Sequence, residues 1–170
     1  DYRKEPNGIT LDLFEPSIHV LKTLKEIDYP LQVVFRNHTS TAPDFVDKIT
    51  KASEFTNFVL STAHPQQLIR KSKFLFSQVN TTLFCDAYFL CKPIVQYVSD
   101  ENKIHHIYGT ERSKPTSIYP LYTDFFIYLD KEKFIEVLQN LERKENSQII
   151  RSKEDLEKRF HIYDTITLKN

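Results

Sequence analysis

The stretch 73–97, KFLFSQVNTTLFCDAYFLCKPIVQY, decides the fold. An apolar run over 73–79 meets a polar break at Asn80-Thr81-Thr82. A helix-length apolar segment over 82–91 follows, then Lys92-Pro93 and a second apolar run over 93–98. Strand, helix, strand is the expected order, because short apolar runs bounded by turn signals read as buried strands. Lys92-Pro93 closes the helix, since the residue before a proline is pushed out of the helical region and proline itself lacks an N–H. Two strands joined through a crossover helix run parallel. Two hydroxyls and an asparagine at the mouth of so apolar a unit, and one carboxylate, Asp86, within it, need a reason.

The same rhythm extends on both sides. A strand is expected over 8–14 and a helix from Glu15-Pro16-Ser17 through Ile27, whose Ile18, Leu21, Leu24 and Ile27 form an apolar face. Residues 31–35, LQVVF, resemble the runs buried on both faces of a parallel sheet. Thr41 and Pro43 open a helix reaching Phe55, 57–60 forms a third strand, and Pro65 opens a short helix ending near Lys71. After the fifth strand, 99–120 is polar and turn-rich. Residues 124–129 form a sixth strand, Phe134, Ile135, Leu138 and Leu141 mark the helix behind it, and 152–160 forms a closing helix. Strands alternating with helices predict a Rossmann-like, doubly wound parallel sheet of about six strands with helices on both faces, a single α/β domain over 1–170.

Composition narrows the function classes. The chain has 170 residues, enough for one sizeable core. Its 23 basic residues balance 23 acidic ones, which argues against bulk binding to nucleic acid or to an anionic membrane, though a local phosphate site remains open. Cys85 and Cys91 are six apart on an expected helix, nearly opposite in direction, so they read as reduced thiols of a cytoplasmic protein. The histidines show no metal-ligand spacing, no apolar run has membrane-span length, and no metal or other cofactor is expected. The sequence starts at Asp1 and contains no methionine, the expectation for an excised piece of a longer protein.

In doubly wound sheets, ligands collect beyond the carboxyl ends of the strands, where strand order reverses. With the order 3-2-1-4-5-6, the loops facing each other there are Phe14–Ser17 and Val79–Thr82, and both open helices. A helix start offers free amides and about half a positive charge to a phosphate. Ser17, Asn80, Thr81 and Thr82 are therefore candidate phosphate ligands. Asp86, one turn past Thr82, is placed to accept ribose hydroxyls. The plainer alternative is that Asn80 or Thr81 caps a buried helix and Asp86 complements its dipole. His64-Pro65 reads as another helix start, and His105 and His106 as loop residues.

The run NTTLFCDAYFLCKPIV resembles the donor-binding signature of GT-B-type transferases, above all the CDP-glycerol glycerophosphotransferases and capsule-polysaccharide glycosyltransferases. The matching positions are Thr81-Thr82, Asp86, Lys92-Pro93-Ile94 and Tyr97. VVFRNHTS resembles the strand–Arg/Lys–x–His–Pro turn of the same families, with Thr39 in place of the proline. Cys91 stands where those families commonly have Gly or Asn, and the chain holds only two glycines.

The resemblance implies the C-terminal, donor-binding half of a two-domain enzyme of bacterial surface polysaccharide or teichoic-acid-like polymer synthesis. It implies Arg36 at the donor phosphates and His38 as the catalytic residue facing the cleft. The expected partners are a nucleotide-activated donor and a polymer or lipid-linked acceptor brought by an N-terminal domain. No nucleic acid is expected, and the parent protein is expected in the cytoplasm, at the inner face of the membrane. The competing expectation is a non-catalytic Rossmann-like interaction or regulatory domain.

Overall fold

The computed structural model describes residues 2–4, 10–36, 44–101 and 122–143, with the backbone alone for 2–4 and 10–12. The expected closing helix, the expected helix start at Thr41 and Pro43, and His38, His105 and His106 lie outside the described residues. The elements are β1 (Tyr2–Lys4), β2 (Thr10–Asp12), α1 (Phe14–Glu26), β3 (Val33–Phe35), α2 (Phe45–Ser53), β4 (Phe58–Leu60), α3 (Pro65–Lys71), β5 (Leu75–Ser77), α4 (Leu83–Phe89), β6 (Ile94–Val98), β7 (Phe125–Tyr128) and α5 (Lys131–Arg143). The chain is mixed α/β.

The parallel strands form two small sheets. β3 pairs with β4, Val34 opposite Val59. β5, β6 and β7 follow in that order, with Phe76 opposite Val95 and Tyr97 opposite Ile127. The predicted pairings of second with third strand, and of fourth, fifth and sixth, are therefore present. The predicted first strand is the correction. Its core, β2, pairs antiparallel with β1, Tyr2 opposite Asp12, and joins neither parallel sheet. A single six-stranded sheet is not what the described pairings form. The sequence between β1 and β2 contains Asn7-Gly8, the pair most favoured in short hairpin connections, and that is the signal for an antiparallel partner. Helix α1 also starts earlier than expected, at Phe14, leaving only three residues for β2.

Helices cover both sides of β6 because its side chains alternate. Val95 and Tyr97 join the larger cluster, with Ile18, Leu21 and Leu24 of α1, Ile49 of α2, and Phe134, Leu138 and Leu141 of α5. Ile94 joins the smaller cluster with Ile69 of α3, Phe84, Ala87 and Tyr88 of α4, and Tyr122. In the larger cluster Tyr97 lies flat on Phe134, centroids 4.2 Å apart.

With so little glycine, helix ends are closed by other residues. Asp28, Glu54 and Cys91 all adopt left-handed backbone, φ 47°, 54° and 54°. After α4, the Cys91 amide donates to Tyr88 O and the Lys92 amide to Ala87 O, a Schellman closure that usually takes glycine.

Candidate functional site

The carboxyl end of β5 makes a tight turn. The Ser77 hydroxyl donates to Val79 O at 2.8 Å and accepts from the Val79 amide at 3.3 Å. Gln78, between them, turns to α1: its Nε2 donates to Pro16 O at 2.9 Å. The two loops that the sequence analysis set opposite each other, 14–17 and 79–82, are therefore stitched together by the residue just before the second.

Each predicted site residue can be placed against this seam. Ser17 is not at a loop end but in the first turn of α1, where its amide already donates to Leu13 O at 3.1 Å. That turn also holds Glu15, and Pro16, which has no N–H. It offers an anion less than the sequence implied, because a carboxylate and a missing donor replace free amides. The N-cap position of α4 belongs to Thr82, not to Asn80. Asn80 Oδ1 accepts from Gln96 Nε2 at 3.3 Å, and Gln96 Oε1 accepts from the Thr123 hydroxyl at 3.3 Å, a polar chain on buried Gln96.

Thr81 and Thr82 divide their duties. Thr81 faces the helix: its hydroxyl accepts from the Leu83 amide at 3.3 Å and its carbonyl from the Phe84 amide at 3.2 Å. Thr82 O takes the Cys85 amide at 3.1 Å. Thr82 holds the N-cap position, exposed and with no side-chain cap bond. The first-turn amides of Leu83, Phe84 and Cys85 are thus occupied by the chain itself. Asp86 stands one turn after Thr82, half-buried, and its Oδ1 accepts from Gln66 Nε2 of α3 at 2.9 Å.

Arg36 directly follows β3 and is exposed; its Nε donates to Ala63 O at 3.2 Å, in the segment after β4. His64 occupies the N-cap position of α3, ahead of Pro65, as the sequence indicated. Lys92 and Tyr97, both matched to the resembled signature, serve the fold: Lys92 Nζ donates to Ser72 O at 2.7 Å, and Tyr97 is core. The residues that sequence reasoning missed are Gln66, Gln78 and Gln96. For the last two a signal existed, a glutamine set within each of two mostly apolar runs, KFLFSQV and PIVQYV.

Among the described residues there is no group of three or more His, Cys, Asp or Glu side chains able to hold a metal ion. No helix among them is long and apolar enough to cross a membrane. No protein-family model matches the chain, and no curated protein or solved structure matches it either.

Proposed function

We propose that the chain is the donor-binding domain of a GT-B-type transferase that moves a sugar or glycerophosphate unit from a nucleotide-activated donor during bacterial surface-polymer synthesis. The observation that carries this reading is the Gln78–Pro16 hydrogen bond. It joins the carboxyl end of parallel strand β5 to the start of α1, and ligands of α/β sheets gather outside the carboxyl ends of the strands. Thr82, an exposed residue, is the phosphate contact in this reading, and the free edge of Asp86 meets ribose. Arg36 supplies positive charge from the end of β3, and His38 is the catalytic residue. Transfer releases a nucleotide whose charge the Thr82 corner and Arg36 stabilise, without an obligatory metal. The acceptor comes with an N-terminal domain in a cytoplasmic parent enzyme at the membrane's inner face, and an isolated chain turns over little.

A specific observation favours the alternative of a non-catalytic interaction or regulatory domain. The amides that would hold a diphosphate at α4 are already bonded within their own turn. Calorimetry with CDP- and UDP-linked donors separates the two. Under the transferase reading, Thr82→Ala combined with Asp86→Ala weakens donor binding by roughly tenfold or more, the loss of hydrogen bonds to charged groups. If the intact chain binds none of these donors, the interaction-domain reading takes its place.

A further inference from the structure

Gln78 carries an unmet hydrogen-bonding need. The residue is 8% exposed, its Nε2 is committed to Pro16 O, and its Oε1 has no hydrogen-bond partner among the described residues. Both atoms belong to one planar amide, so the orphaned oxygen lies in the same seam between β5 and α1. The Ser99 hydroxyl oxygen, one residue past the carboxyl end of the adjacent strand β6, is likewise buried and without a partner among the described residues. Buried acceptors left unbonded cost stability, and native proteins seldom retain them without a use.

We infer that Gln78 reads the nucleoside part of the bound donor: its Oε1 accepts a hydrogen bond from an uncharged O–H or N–H of the ribose or base, with Ser99 assisting. The chemistry excludes the phosphates as the partner, because an amide oxygen is an acceptor only and meets phosphate oxygens with repulsion. The Pro16 carbonyl takes one N–H of the amide, and the oxygen is the atom left with no bond among the described residues. This inference rests on the transferase reading and adds a division of labour within it. Thr82 and Arg36 hold charge, and Gln78 recognises what the charge is attached to.

The test is calorimetric titration of the full chain with cytidine diphosphate, uridine diphosphate, ribose 5-phosphate and pyrophosphate, for the wild type, Gln78→Leu and Ser99→Ala. The wild type binds the nucleoside diphosphates more tightly than pyrophosphate. Gln78→Leu weakens them by roughly tenfold or more, because it removes the bond to Pro16 O along with the one to the ligand, and it weakens pyrophosphate less. Ser99→Ala, which leaves the Gln78–Pro16 bond in place, weakens the nucleotides roughly threefold and leaves pyrophosphate unchanged, and it keeps the test open should the Leu variant fail to fold. A loss that extends to ribose 5-phosphate assigns the contact to a ribose hydroxyl; a loss confined to the nucleotides assigns it to the base.

Equal weakening of pyrophosphate and nucleotides overturns the inference, since a merely structural role for Gln78 has that effect. Unchanged nucleotide binding in the folded variants overturns it too. Equal wild-type affinity for pyrophosphate and the nucleotides removes the inference while the transferase reading stands. Wild-type binding of none of the four ligands removes both.

Discussion

Strand β6 and the β3–β4 pair are comparably apolar in sequence, yet they lie in different surroundings. All five residues of Ile94–Val98 are buried. In the β3–β4 pair one side is open: Val34 is 47% exposed and its partner Val59 41%. The apolar run over 31–35 predicted burial on both faces, and this is a second correction. The cause lies in the covering helices. α4 sets Phe84, Ala87 and Tyr88 against the Ile94 side of β6. α3 has seven residues and buries only Ile69, which packs into that same cluster and not onto Val34. An apolar strand is buried on both faces only where a helix of sufficient apolar reach lies over each.

The comparison can be broken most directly by truncating one residue on each side. Ile94→Ala leaves a cavity in a fully buried site and is expected to destabilise by about 2–5 kcal/mol. Val34→Ala, at a half-exposed site, is expected to change stability by less than about 1 kcal/mol. Urea unfolding of both variants measures the difference. Comparable losses would mean that the open side of β3 is covered in solution and that the contrast does not exist.

The next effect is smaller and depends on pH. Tyr29 and Tyr97 both belong to the larger cluster, and Tyr29 donates its hydroxyl to Leu138 O at 3.1 Å. Burial first, and then the charge of Glu142, pushes the Tyr29 phenol well above its ordinary value. Tyr97 is raised by burial and by Asp130. A raised folded-state value means that the folded protein holds its proton longer than the unfolded chain does. The associated stability is fully present below the unfolded phenol value of about 10 and is lost as pH climbs beyond it. Unfolding free energy should therefore fall on going from neutral pH to above about 10. Tyr29→Phe should lower stability at neutral pH by about 1 kcal/mol, through the lost hydrogen bond, and flatten the alkaline decline. An unchanged slope would show that Tyr29 is solvated, and the larger cluster less tightly closed than Ile94–Val98 implies.

What was legible in the sequence follows the same division. The 73–97 unit came through as β5, α4 and β6, because an apolar run, a polar break and Lys-Pro each have one local interpretation. The pairings of β3 with β4 and of β6 with β7 followed from the crossover rule. The place of 8–14 did not, because a three-residue strand reads alike in a hairpin and in a parallel sheet, and Asn7-Gly8 was the only local discriminator. At the site, the identity of the polar break was visible but the direction of its hydrogen bonds was not. Nothing in the order Asn80-Thr81-Thr82 says that Thr81 turns inward, that Asn80 meets Gln96, or that Gln78 reaches back more than sixty residues to Pro16. Those are tertiary facts, set by which strand lies alongside which.

The smallest expected effect sharpens the contrast from the helix that covers β6. Cys91 closes α4 with φ 54°, a region that costs a residue with a side chain roughly 1–2 kcal/mol relative to the right-handed one. Glycine removes that cost but gains freedom in the unfolded chain, which offsets part of the benefit. Cys91→Gly should therefore stabilise the protein by about 0.5–1 kcal/mol, raising the melting temperature by a few degrees. Glu54→Gly, at the equivalent closure of α2 with φ 54°, serves as the matched control, since Glu54 is exposed whereas Cys91 is half-buried. A gain at 54 without one at 91 would show that the Cys91 thiol contributes packing comparable to the backbone cost. Helix α4 would then hold β6 through its end as well as through Phe84, Ala87 and Tyr88.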